Sequence, residues 1–292
     1  MDLVRLNETE GEFLDGDGRK IHTVTWRGSG PLRGCVFLCH GYGERIKPYY
    51  EGVAREAVDR GMLVFGHDHI GHGQSQGERV MGDCMDKYVK PVLQHCRRIK
   101  EDHPQLPLFM IGHSMGGLIG VLAAIEDPEL LTGMVLMGPL VEPDPGIATP
   151  FKVWLSKCMA GVWPSFSVGR LNLEDVTSDE EWRNRKKQDI LHHHGGFKVL
   201  HNNVLLDAMR GIEFDKMKTP FLIVHGTDDR VCTPAGAVKL HAKAASKDKE
   251  MVFLEKGLHN LYIESQPIRG TTFNHTFQWI EQRIELASRS CI

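Results

Sequence analysis

Short apolar runs alternate along this chain with stretches whose apolar residues recur at helical spacing. Ile21 to Trp26 sets Ile, Val and Trp against His and Thr, the two-residue period of a strand. Cys35 to Cys39 is continuously apolar, as a strand covered on both faces would be. Met62 to Phe65, the run opening at Leu108, Gly133 to Met137, Pro220 to His225 and Glu250 to Leu254 predict further strands. Between them, Tyr49 to Arg60, Cys84 to Asp102, Leu118 to Ile125, Pro234 to Ala245 and Phe273 to Ala287 predict helices. Residues 1–18 end in the turn signal Asp15-Gly16-Asp17-Gly18 and carry no predicted strand. Buried strands alternating with helices predict the α/β class, a mostly parallel central sheet flanked by helices.

The alternation stops near Leu140. As far as about Arg210 the chain has prolines, tryptophans and His192-His193-His194 but no buried strand. Phe151, Trp154, Leu155, Cys158, Met159 and Val162 fall near helical spacing. The expected organisation is one core, residues 1–140 and 211–292, with residues 141–210 forming a helical insertion between two of its strands.

The run at Leu108 leads into Gly112-His113-Ser114-Met115-Gly116, which fits G-x-S-x-G, and a helix follows. Strand, tight turn and helix are the context in which that motif exposes a nucleophilic serine. Serine needs a base within hydrogen-bond reach, and the base needs an orienting carboxylate; along the chain the order is Ser, acid, His. Of the sixteen histidines, His259 follows the last predicted strand in a short loop. His241 and His275 fall inside predicted helices, and His22 lies in an early strand. The acid falls on Asp228 or Asp229, both just beyond the strand ending at His225, and spacing does not separate them. An oxyanion requires two aimed donors. The expected pair is the backbone N–H of Met115 and that of Tyr42, in the glycine-rich loop His40-Gly41-Tyr42-Gly43.

His67-Asp68-His69-Ile70-Gly71-His72 is a weak zinc candidate and reads better as a structural turn; His192 to His194 reads as a polar loop. No metal ligand set and no dinucleotide fingerprint is assigned, and no cofactor is expected. A net charge of −3 gives no electrostatic case for nucleic acid as a partner. Seven irregularly spaced cysteines, and a polar acidic start without a secretory leader, predict reduced thiols and a cytoplasmic location. No apolar run reaches the ~18 residues of a membrane span. The oligomeric state is not encoded in any pattern found here.

The residues His40-Gly41-x-Gly43-Glu44, the run Leu63 to Arg79, Gly112 to Gly117 and Gly133 to Leu136 resemble the α/β-hydrolase superfamily and, within it, the monoacylglycerol lipase family. The resemblance covers nearly the whole chain and is weakest from about Glu142 to Asp207. It implies a serine hydrolase that releases fatty acid and glycerol from monoacylglycerols, with a broader carboxylesterase or lysophospholipase as the alternative. It implies Ser114 as nucleophile, Asp229 as the acid, His259 as the base, and Tyr42 and Met115 as oxyanion donors. The insertion becomes a cap forming an acyl tunnel and touching membranes, which implies a peripheral membrane contact. Glu44 is retained to bind glycerol hydroxyls. Three positions depart from the family: Tyr42 stands where a small residue is usual, and Pro48 replaces an arginine of the glycerol pocket. Tyr262 replaces a histidine on the glycerol side. Cys232 matches a thiol the family carries near its triad.

Overall fold

The structure is a computed structural model that describes residues 6–143 and 149–289. The first half builds β1 (Asn7–Leu14), β2 (Lys20–Arg27), β3 (Gly34–Cys39), α1 (Glu51–Asp59), β4 (Met62–His67), α2 (Asp86–Asp102), β5 (Leu108–His113), α3 (Met115–Glu126) and β6 (Gly133–Met137). The insertion follows as α4 (Pro150–Val162), β7 (Ser167–Val168), α5 (Leu173–Val176), α6 (Glu180–Gln188), β8 (Phe197–Lys198) and α7 (Val199–Arg210). The chain then returns through β9 (Phe221–Gly226), α8 (Pro234–Lys243), β10 (Lys249–Leu254) and α9 (Ile268–Arg289).

Eight strands form one sheet in the order β1-β2-β4-β3-β5-β6-β9-β10. From β4 to β10 the pairing is parallel; β1 and β2 add antiparallel at one edge. Every residue of β3, β4, β5, β6 and β9 is buried, which is why these segments read as unbroken apolar runs. Alternate side chains feed two cores. Phe37, Met110, Leu118 and Leu136 pack on one face, and Val36, Leu38, Ile111 and Phe277 on the other.

β1 escapes a reading based on periodicity because it buries only Phe13. It is an edge strand, held by its ladder to β2 across the Asp15–Gly18 turn rather than by an apolar face. α9 begins five residues before the predicted helix, at Ile268. The insertion also contains a two-stranded ribbon, β7 with β8, too short to register as a pattern.

Register decides where the chemistry gathers. Cys39 of β3 pairs with Gly112 of β5, His113 with Met137 of β6, and Met137 with Val224 of β9. These strands therefore end level, and their following loops share one edge of the sheet, the usual ligand edge of open parallel sheets.

Candidate active site

Ser114 sits between β5 and α3 with φ 54° and ψ −117°. An L-residue held at positive φ is strained, and that strain turns the side chain out of the sheet. Close packing explains the flanking glycines. A Cβ on Gly116 would lie 2.1 Å from the Cys39 carbonyl oxygen, and one on Gly112 would lie 2.7 Å from the Gly116 carbonyl. α3 can thus start directly against the end of β3. The two expected oxyanion amides follow from the same approach: Met115 opens α3, and Tyr42 lies three residues beyond β3. Neither amide has a hydrogen-bond acceptor among the described residues.

His259 and Asp229 meet from the loops after β10 and β9, with His259 Nδ1 and Asp229 Oδ2 2.8 Å apart. The other carboxylate oxygen, Oδ1, accepts the Val231 and Cys232 amides at 2.8 and 2.9 Å. His225 Nε2 also lies 3.2 Å from Oδ2. Burial opposes ionisation of Asp229, but the His259 charge and the His225 and His259 hydrogen bonds outweigh it and hold the carboxyl well below its usual range. The neighbouring Asp228 is exposed and accepts only the Thr227 hydroxyl among the described residues. Tertiary structure therefore separates two carboxylates that spacing left level.

Ser114 and His259 open onto one cavity of about 990 Å³. In this structure no hydrogen bond joins them, and the serine hydroxyl lies 3.9 Å from Cys232 Sγ. Catalytic hydrogen bonds in unliganded sites are often long and tighten when substrate binds. Burial and the Asp229 charge push the Cys232 thiol well above its usual range.

Glu44 lines the cavity but is almost wholly buried. It accepts from Lys186 Nζ at 2.5 Å, Asn260 Nδ2 at 2.9 Å, the Tyr262 hydroxyl at 3.0 Å and the Gly41 amide at 3.2 Å. Burial opposes its charge, yet Lys186 and His113 hold its carboxyl well below the ordinary 4.5. Tyr262 is not among the cavity-lining residues; its hydroxyl supports Glu44. The Tyr42 ring turns away from Ser114 into the insertion, stacked on Phe197 and His201 with centroids 4.8 and 5.5 Å apart. Its bulk is absorbed there, and its hydroxyl donates to the Gly196 carbonyl at 3.3 Å.

Much of the cavity wall belongs to the insertion, including Leu155, Met159, Leu205 and Met209. Further contacts tie residues 186–196 to the loop after β3. Asp189 takes a two-pronged hydrogen bond from Arg45, at 2.9 and 3.1 Å, and the Tyr49 hydroxyl at 2.7 Å. The His193 amide donates to the Gly43 carbonyl at 2.9 Å. Sequence reasoning missed Lys186, Asn260 and His225. Lys186 stands in a polar run beside Arg185 and Lys187, and nothing local marks it as the one turned inward.

The loop His67–His72 is structural. Asp68 accepts the Ile46 and Gln74 amides at 2.8 and 2.9 Å. Burial pushes the His67, His69 and His72 rings well below their ordinary value.

A family model described as serine aminopeptidase, S33, matches residues 30–266. The monoglyceride lipase of Homo sapiens is 36% identical over 277 residues, covering 94% of this chain and 91% of that protein. The monoglyceride lipase of Rattus norvegicus is 34% identical over 282 residues, covering 96% and 93%. Among solved structures, a soluble variant of the Saccharomyces cerevisiae monoglyceride lipase in complex with a substrate analog superposes with a TM-score of 0.81. It is 23% identical, with 97% of this chain and 96% of that chain covered.

Proposed function

We propose that this chain, which belongs to the monoglyceride lipase family of α/β hydrolases and hydrolyses carboxylic esters, has monoacylglycerols as its substrates. Ser114 is the nucleophile, His259 the base and Asp229 its orienting acid. The observation that carries this reading is the 2.8 Å contact between His259 Nδ1 and Asp229 Oδ2, made at the cavity onto which Ser114 opens.

His259 takes the Ser114 proton through Nε2 as Oγ attacks the ester carbonyl. Asp229 fixes the imidazole tautomer and stabilises the imidazolium. The oxyanion forms against the Tyr42 and Met115 amides. The carbon–oxygen bond to glycerol breaks, His259 returns its proton to the departing oxygen, and an acyl-enzyme remains. Water, deprotonated by His259, then attacks the acyl carbon; Ser114 leaves reprotonated and the fatty acid is released. The apolar wall from Leu155 to Met209 receives the acyl chain, and residues 141–210 act as a cap over the 1–140 and 211–292 core.

The cap is also the surface that meets lipid. α4 turns Leu155 and Met159 to the cavity, while Phe151 and Val162 are 69% and 84% exposed and Trp154 and Trp163 stand beside them. Among the described residues no helix is long and apolar enough to cross a membrane. An apolar outer face flanked by Lys152 and Lys157 fits interfacial seating.

Two measurements test the reading together. Ser114→Ala is expected to keep its melting temperature and to lose labelling by a fluorophosphonate; persistent labelling refutes the nucleophile. Monoacylglycerol is expected to be turned over faster than a lysophospholipid of the same acyl chain and faster than a short soluble ester. Equal turnover of all three favours a broad carboxylesterase.

A further inference from the structure

We infer that Lys186 is a specificity-determining residue: its ammonium, anchored on Glu44 and delivered by the insertion, donates to the hydroxyls of the alcohol portion of the ester. The inference rests on the proposed lipase reading and deepens it at the head-group end of the cavity.

Position is the first argument. Lys186 and Glu44 both line the cavity that Ser114 and His259 line, at side-chain exposures of only 2% and 4%. A single point, the site of a Cβ on Gly41, lies 3.3 Å from both Glu44 Oε2 and Ser114 Cβ. Glu44 therefore stands beside Ser114, and Lys186, on the other oxygen of that carboxylate, lines the same cavity.

Donor chemistry is the second. An ammonium carries three N–H groups. One is given to Glu44 Oε1, and the face of Tyr49 lies 4.9 Å from Nζ. Glu44 is an acceptor only, held ionised by Lys186 and His113. A vicinal diol presents two acceptor oxygens on adjacent carbons. Glu44 already accepts from Lys186, Asn260, Tyr262 and the Gly41 amide, so its oxygens are filled. The two remaining Lys186 N–H groups are the donors left for hydroxyls on adjacent carbons of the alcohol. An alcohol lacking hydroxyls leaves those two Lys186 N–H groups desolvated without acceptors, which is costly.

Support is the third. Asn260, Tyr262 and the Gly41 amide hold the Glu44 carboxylate from the core side, and α6 brings Lys186 from the insertion. The head-group site is thus assembled from both parts of the chain.

The test compares a monoacylglycerol with the ethyl ester of the same fatty acid. Wild type is expected to prefer the glycerol ester. Lys186→Met is expected to lower kcat/KM for the glycerol ester at least tenfold, mainly through KM, with the ethyl ester changed less than threefold. Lys186→Arg keeps a cation and is expected to retain most of the preference. Because Lys186→Met leaves Glu44 buried without its cation, the neutral pair Glu44→Gln/Lys186→Met is measured beside it and is expected to lose the same preference. A parallel fall on both esters, or an undiminished preference in the folded variants, overturns the role of Lys186 and leaves the lipase reading standing. Failure of wild type to cleave the glycerol ester while cleaving the ethyl ester overturns both.

Discussion

At the scale of the residue, Glu44 shows how much a buried charge depends on its surroundings. Its carboxyl is held well below 4.5 by Lys186 and His113 against the opposing effect of burial. A group whose folded value is depressed contributes stability above its unfolded value and loses it as pH falls. The melting temperature is therefore expected to drop as pH is lowered from about 4.5. Glu44→Gln should be less stable at neutral pH by about 3–5 kcal/mol, because Lys186 is left buried without its counter-charge. The gap to wild type should close in acid, where wild type loses the same charge. Melting curves from pH 3 to 7 measure this, and parallel pH profiles for the two proteins would contradict it. Local sequence gave no warning of this coupling, since Glu44 and Lys186 are joined across 142 positions.

Among the elements, the contact of α3 with the end of β3 sets the dimensions of the site. Gly116 lies in the first turn of α3, and the backbone it meets is that of Cys39 and His40. Neither backbone can yield as a flexible side chain would. Gly116→Ala is expected to cost about 4 kcal/mol or more, read as a lower urea midpoint, and to weaken fluorophosphonate labelling in whatever fraction folds. A near-neutral substitution would mean that α3 can move away from β3 without penalty. The G-x-S-x-G pattern was legible because this steric demand falls on adjacent residues. β1 was not legible, because an exposed edge strand has no buried face to imprint a period.

For the whole molecule, α4 carries apolar residues on two sides. Leu155 and Met159 serve the cavity, whereas Trp154, Val162 and Trp163 are exposed. In vesicle flotation with phosphatidylcholine, wild type is expected to rise with the lipid. Trp154→Ser/Trp163→Ser should remain at the bottom while cleaving a soluble ester at the wild-type rate. Flotation equal to wild type would exclude this face as the lipid contact. From sequence the stripe on this helix was visible; which of its members turned inward was not.

The order of apolar runs and turns was enough to mark the strands from β2 onward in the core, the serine on its tight turn and the histidine after the last strand. Those features rest on short-range physics: a two-residue period, a strained dihedral, a missing side chain where backbones touch. The contact of Asp229 rather than Asp228 with His259, the turning of Tyr42 into the insertion and the pairing of Lys186 with Glu44 appear only in three dimensions. Each depends on which groups are removed from water together, and burial is a property of the folded assembly that neighbouring residues in a sequence do not share.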